Sequence, residues 1–442
     1  MVENNKRQPK ILIFTIASWN SKVGDNTWET LVSQYDSANL ANIFLREEIP
    51  DSTVCSKYFC ISENRVLKSI FKRNIKTGKE IKAIPILQAQ ESEDLKVHRQ
   101  RYLNMKKKRR YSMLLARELC WKLGKWKTKE LDDFLDEFKP DIILHGMDGY
   151  IHINRIVRYA IKRTGAKAIG CIWDDTFTYK QSKKFGHNLY RFFQRKSLKK
   201  LAKKTSEFFA ITPKTKQEAD KFFGINCTIL TKPLNTIPIA QSYEKITFPI
   251  KMLYTGNLSI GRDVSLKDVS LALKKVNANE KKIVLDVYTQ TVLSEQMLNE
   301  IENEFCHIYP PISQQDVLRK QKEADVLLFL EDLSDKELIA RLSFSTKITD
   351  YFSAGKCILA IGNYDLAPIQ YFKETKSAIV VDKLSDIESG LQKLLDINML
   401  EEIAINAVNC GQENHNATLI NNTFKGVIDK VYIKGQNEGF TN

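Results

Sequence analysis

Hydrophobic and polar residues fall along this chain in two series, each alternating short apolar runs with longer amphipathic stretches. In the first series, apolar runs at 10–16, 141–144, 168–173, 208–211 and 227–230 predict strands. Stretches at 27–35, 127–138, 151–163, 188–204 and 214–223 carry apolar positions at helical spacing and predict helices. Between 231 and 250 the pattern lapses, with three prolines and no sustained period, and the segment reads as an interdomain linker. The second series predicts strands at 251–254, 283–288, 306–309, 324–330 and 357–361, with helices at 265–276, 294–304 and 313–322. A short helix opened by Ser345 or Thr346 and stopped by Gly355 lies before the last of those strands. A further helix is predicted over 414–431. Strands alternating with helices imply mostly parallel α/β sheets. Residues 52–126 fit this rhythm poorly and read as an irregular, partly helical insertion.

Composition narrows the class. At 442 residues the chain can hold two or three domains, and no window approaches a membrane-spanning apolar run. Lys6, Arg7 and Lys10 before the apolar run 11–17 mimic a signal peptide, but the run is short and Trp19-Asn20-Ser21-Lys22 offers no small-residue cleavage site. A first strand is the better reading. The eight cysteines are scattered without Cys-x-x-Cys spacing, and Cys171 and Cys357 sit in predicted buried strands. That suits reduced thiols in a cytoplasmic protein. The six histidines show no metal-ligand spacing, so no metal is expected. The net charge of +15 is uneven: 96–110 holds eight Lys/Arg and no acid, and 181–204 holds nine and no acid. Within the second segment Tyr190, Phe192, Phe193, Leu198 and Leu201 interleave with the cations. Such a helix suits an anionic lipid surface. Nucleic acid is the competing partner for so basic a surface, and a solvated helix face is the third reading.

Candidate chemistry concentrates at 342–362. A buried strand is followed by a loop, a helix start with Lys347 in its first turn, and Asp350 three residues on along the same face. Strand end, helix N-terminus and adjacent cation make a seat for a phosphate, and the carboxylate one turn deeper can hold a pair of sugar hydroxyls. The alternative is a strand–helix–strand unit without a ligand. The run Ser-Thr-Lys-Ile-Thr-Asp-Tyr-Phe-Ser-Ala-Gly-Lys at 345–356 resembles the donor-binding helix of GT-B-type glycosyltransferases, especially bacterial polysaccharide-assembly enzymes. The resemblance implies an α/β GT-B fold of two Rossmann-like parallel-sheet domains facing a cleft. The acceptor-side domain would be 1–235, with the insertion at 52–126, and the donor domain 249–412. Residues 413–442 would form a helix packing back on the first domain. It also implies that Asp350 holds the donor ribose and Lys347, with Thr346 beside it, the diphosphate. Many relatives carry a second acid eight residues before this one, where Leu342 stands here, so the retaining mechanism linked to that pair is not implied.

The rest of the site is expected at strand C-termini, where open α/β sheets bind ligands. In Tyr254-Thr255-Gly256-Asn257-Leu258 the small Gly256 would admit the diphosphate, and Arg262 would pair with it or be a surface arginine in a turn. Glu331 meets the donor sugar or is a solvated loop carboxylate. Tyr309-Pro310-Pro311 walls the nucleobase or is a turn. In the first domain Lys22 and Gly24 could line the site, and His145 could touch the sugar. Asp148 is the first candidate for a catalytic base and Asp174 or Asp175 the second; each could instead cap a helix. The absence of Gly-x-Gly-x-x-Gly and of a Walker loop weighs against dinucleotide enzymes and ATPases. The implied activity is transfer from a nucleotide diphosphate sugar to a saccharide or polyprenyl-diphosphate-linked acceptor in surface polysaccharide biosynthesis, such as capsule or O-antigen. It would be metal-independent, cytoplasmic at the inner face of the cell membrane, in contact with anionic lipid through 96–110 and 181–204, and without a nucleic-acid partner. A nucleotide-sugar epimerase of the same fold and a non-catalytic membrane- or nucleic-acid-binding protein are the alternatives.

Overall fold

Near-continuous apolar runs build the first sheet, because a parallel strand covered on both faces needs no polar alternate. Its strands are β1 (Ile11–Thr15), β2 (Leu40–Phe44), β3 (Lys57–Ile61), β4 (Gly78–Ile81), β5 (Ile142–Gly146), β6 (Lys167–Ile172), β7 (Glu207–Ala210) and β8 (Thr228–Ile229). They lie in the order β4-β3-β2-β1-β5-β6-β7-β8, parallel except for the β3–β4 pair. The second sheet takes β9 (Ile250–Thr255), β10 (Ile283–Tyr288), β11 (Cys306–Tyr309), β12 (Val326–Leu330), β13 (Cys357–Ile361) and β14 (Ile379–Val381), ordered β11-β10-β9-β12-β13-β14 and wholly parallel. The computed structural model describes residues 7–20, 27–72, 74–84, 111–234, 236–334 and 338–439. The chain divides into two units: Met1–Tyr179 with Lys183–Leu230 and Asn422–Asn442, and Lys180–Ser182 with Thr231–Asn421.

In each sheet the strand order runs one way from a central strand and then restarts on its other side, between β1 and β5 and between β9 and β12. These are topological switch points, where crevices open beyond the strand C-termini.

Several expectations change. Residues 57–61 and 78–81, placed in an irregular insertion, are strands of the first sheet. β2 was not expected either. Its apolar run is broken by Asn42, a buried residue whose amide donates to Ile13 O at 3.2 Å and Thr15 Oγ1 at 3.0 Å. The insertion also holds the Glu63–Lys68 and Tyr111–Leu123 helices, while 85–110, including the basic run 96–110, lies outside the described residues. Lys22 and Gly24 also lie outside them.

The expected linker 231–250 packs into the second unit. Tyr243 is buried; its hydroxyl donates to Asp325 O at 2.7 Å and accepts from Cys357 N at 2.8 Å. Leu234 N donates to His415 O at 2.8 Å, and Thr231 Oγ1 lies 3.0 Å from His415 Nδ1. Buried backbone must find partners, so this stretch belongs to the second core. The Ala417–Gly439 helix passes from the second unit to the first at 422. In the first unit its buried Phe424 meets the rings of Trp28, Tyr35 and Phe209.

Candidate functional site

The second unit's switch point gathers Gly256, Arg262, Glu331 and Lys347, with Asp350 close by. β9 ends at Thr255, and Gly256 follows with φ of +144°, a conformation only glycine adopts freely. A Cβ on Gly256 would sit 2.0 Å from Lys347 Nζ, so the glycine leaves the space that the ammonium fills. Lys347 opens the Lys347–Ala354 helix, which Gly355 stops in the left-handed conformation. Its Nζ lies over the Tyr254 ring, 4.5 Å from the centroid and 3.4 Å from the hydroxyl. Among the described residues this ammonium has no carboxylate at ion-pair distance. Burial, and then the like charge of Arg262, pull its pKa down to about 8 against the opposing pull of Glu331 and Asp350. A half-buried cation beside another cation, without its own counter-ion, is arranged for an anion.

Arg262 opens the Arg262–Val276 helix and is brought to the same spot, but its fork is engaged. Nη2 and Nε donate to the Glu331 carboxylate at 2.7 and 3.0 Å, Nε also to Leu330 O at 3.1 Å, and Nη1 to Asn257 Oδ1 at 3.1 Å. Both side chains of the ion pair are largely buried. A buried carboxylate needs its counter-ion, so Glu331 is turned to Arg262 instead of standing as a carboxylate offered to a sugar. Arg262, expected to hold a diphosphate, braces the strand-end loop that carries Gly256.

Asp350 lies three residues beyond Lys347 and accepts from Lys232 Nζ at 3.1 Å. Lys232 is buried and was not foreseen: it stands in the stretch read as linker, and no local pattern marks a lysine there as a site residue. Thr346 is exposed and its side chain makes no cap bond; Ser345 holds the first turn, accepting from Ile348 N at 3.1 Å through its carbonyl. Tyr309 stacks on Tyr288 of the neighbouring strand, centroids 4.9 Å apart, and remains partly exposed.

In the first unit the loop after β5 is fastened atom by atom. Met147 N donates to Cys171 O at 2.7 Å, and Thr176 Oγ1 donates to Met147 O at 2.8 Å. Asn154 Nδ2 donates to Asp148 O at 3.2 Å, and Gln194 and Tyr190 donate to Gly149 O at 2.6 and 3.2 Å. The Asp148 carboxylate, in contrast, takes no hydrogen bond among the described residues. Its pKa is pushed up to about 6, first by burial and then by Asp174. Asp174 is exposed, just past β6.

Asp148 does not cap the Ile151–Thr164 helix. That service comes from Glu118 of the Tyr111–Leu123 helix, which accepts from Ile151 N at 3.1 Å, His152 N at 2.8 Å and His152 Nδ1 at 2.9 Å. Asp175 is buried and holds its own turn, accepting from Thr178 N at 2.8 Å and from the Thr178 hydroxyl. His145 is also a correction. It is fully buried, with Nδ1 3.0 Å from Gly146 O and Nε2 3.1 Å from Thr205 Oγ1. Burial pushes its pKa down to about 4, so it packs as a neutral core ring and offers nothing to a sugar.

No group of three or more His, Cys, Asp or Glu among the described residues is placed to hold a metal. No helix among them is long and apolar enough to cross a membrane.

No protein-family model and no curated protein matches this chain. Solved structures do. The α,α-trehalose 6-phosphate synthase of Burkholderia multivorans aligns over 97% of this chain and 98% of its own, with TM-score 0.58 at 10% identity. Anabaena HepE, in complex with UDP-glucose, aligns over 96% and 100% with TM-score 0.58 at 8% identity. The fold is that of the GT-B glycosyltransferases. A glycosyltransferase from Rickettsia africae shares it, over 95% of this chain and 98% of its own, with TM-score 0.53 at 12% identity. At such identities the GT-B likeness speaks for architecture, and the chemistry rests on the residues above.

Proposed function

We propose that this chain is a glycosyltransferase that moves a sugar from a nucleotide diphosphate donor to a saccharide acceptor. The observation that carries the reading is Lys347, an ammonium without a carboxylate partner among the described residues, seated against Gly256 at the switch point of a GT-B donor-type sheet. The UDP-glucose held by HepE supports a UDP-sugar as donor class. In this reading Lys347 pairs with the donor diphosphate. Charge on that leaving group grows as the glycosidic bond breaks, so a fixed cation stabilises the transition state more than the ground state. Asp350, held by Lys232, takes the ribose hydroxyls. Asp148 accepts the acceptor hydroxyl's proton as its oxygen attacks the anomeric carbon in an inverting transfer. The acceptor is a lipid-linked saccharide of surface polysaccharide synthesis, met at the inner face of the cell membrane; the acid-free basic segments 96–110 and 181–204 support this. A soluble sugar-phosphate product is the second reading, favoured by the likeness to trehalose 6-phosphate synthase.

Calorimetry with a panel of UDP-, GDP- and dTDP-sugars tests the donor site. One donor class is expected to bind, and Lys347→Ala to weaken it by about 1.5–3 kcal/mol while melting as the parent does. No binding across the panel, or parental affinity in folded Lys347→Ala, overturns the proposal. Product analysis with and without added acceptors separates transfer from epimerisation and one acceptor class from the other.

A further inference from the structure

We propose that the outer faces of the Tyr111–Leu123 and Phe185–Ala202 helices together dock on an anionic lipid bilayer. The aromatic first half of the second helix would enter the acyl boundary, and its cationic second half would lie on the headgroups. The proposal rests on the first unit alone and is independent of the donor site.

The two helices are packed side by side: the Tyr111 and His187 rings are 5.5 Å apart and Tyr190 Oη reaches Glu118 at 3.3 Å. What they leave uncovered is unusual. Phe185 is 82% exposed, Phe192 44% and Phe193 43%, and Leu119 and Leu123 of the first helix are exposed in the same unit. At about 100° per residue, positions 185, 189, 192, 193, 196, 199, 200 and 203 fall on one side of the second helix. Its apolar members come first and its lysines afterwards. Single exposed apolar residues are ordinary on a protein surface, but a run of large ones marks a contact face.

Charge chooses the occupant. Residues 181–204 contain no acid, and Glu118, the one acid of the Tyr111–Leu123 helix, is buried. The complement is an anionic surface that also accepts apolar side chains. A lipid headgroup layer does both, whereas a nucleic acid offers no place for Leu119, Leu123 and Phe185 together. The Lys196 ammonium already lies over the Phe192 ring, 4.3 Å from its centroid, so cation and apolar side chain meet on this helix.

Cosedimentation of the full chain with vesicles tests the assignment. Binding is expected to equimolar phosphatidylcholine and phosphatidylglycerol and not to phosphatidylcholine alone. F185S/F192S/F193S and K196E/K199E/K200E should each weaken it about tenfold or more, with donor binding by calorimetry unchanged. If the serine variant fails to fold, Phe192→Trp reads the same contact through a blue-shifted emission with anionic vesicles. Failure to bind anionic vesicles, binding untouched by both triple variants, an unshifted Phe192→Trp, or displacement of the vesicles by a nucleic-acid duplex each overturns the proposal. Loss of donor binding with docking intact would instead strike the donor-site reading.

Discussion

Asp148 and Lys347 both titrate nearer neutrality than their side-chain types do in water, at about 6 and about 8. For both the first cause is burial and the second a like charge, Asp174 for one and Arg262 for the other. Raised in the folded state, Asp148 holds its proton where the unfolded chain has lost it, so its contribution to stability is full below about pH 4 and lost as pH rises through 6. As a base it should impose an acid limb near pH 6 on kcat/KM. Asp148→Asn should lower kcat by about 10²–10⁴-fold. Asp174→Asn should shift the limb to lower pH and leave its height alone; an unmoved limb would remove Asp174 from the pair. Lys347 runs the other way. Between about pH 8 and 10.5 the unfolded chain binds the extra proton, so stability rises with pH there. A bound diphosphate favours the ammonium, so donor affinity should fall as pH rises through 8, and Lys347→Met should flatten that slope in calorimetry at pH 7 and 9. Lys347 and Asp350 were legible in the sequence because helix start, cation and acid lie within six residues. Lys232 was not, because the partner that gives it meaning stands 118 residues away.

At the scale of elements, the strands that were legible are those whose apolar runs are unbroken, such as β12 and β13, both buried along their length. β4, with the sequence Gly-Lys-Glu-Ile, is an edge strand that pairs through its backbone and shows no period to read. Helix N-termini show the same limit. Thr128, Thr212 and Ser313 cap their own helices by local bonds that the sequence announces. The Ile151–Thr164 helix has no local side-chain cap, and its first N–H groups are met by Glu118 from another helix. That carboxylate therefore fixes the helix directly behind the loop that presents Asp148. Glu118→Ala leaves Ile151 N and His152 N without their acceptor, and should cost about 1–3 kcal/mol in urea unfolding. Glu118→Gln keeps one acceptor oxygen and should recover part of the loss. Equal stability of the alanine variant and the parent would show that water serves the helix end as well.

At the scale of the whole chain, the first unit is assembled from both ends of the sequence, since Asn422–Asn442 groups with residues that precede 231. The joint is a ring cluster. Phe424 is buried against Trp28, Tyr35 and Phe209, and Trp28 meets Trp173 edge-on at 5.4 Å beyond the end of β6. Ile428 and Val431, one and two turns along, are buried as well. A helix whose apolar side is covered in this way is part of the core and not an appendage, so its removal should act as a large-to-small core change. Phe424→Ala should destabilise the first unit by about 3–5 kcal/mol, the usual range for deleting a buried aromatic ring. The same packing predicts where the damage stops. Lys347, Asp350 and Lys232, the residues proposed for the donor, belong to the second unit, which keeps its own core around β9–β14. Calorimetric melting of Phe424→Ala should therefore show a transition moved to lower temperature and reported by tryptophan emission, because Trp28 borders the vacated space. Below that transition, nucleotide-sugar binding should keep its parental affinity. A parental melting curve would mean that the ring cluster contributes little. Loss of donor binding at temperatures where the first unit is still folded would mean that the damage does not stop at the first unit's core.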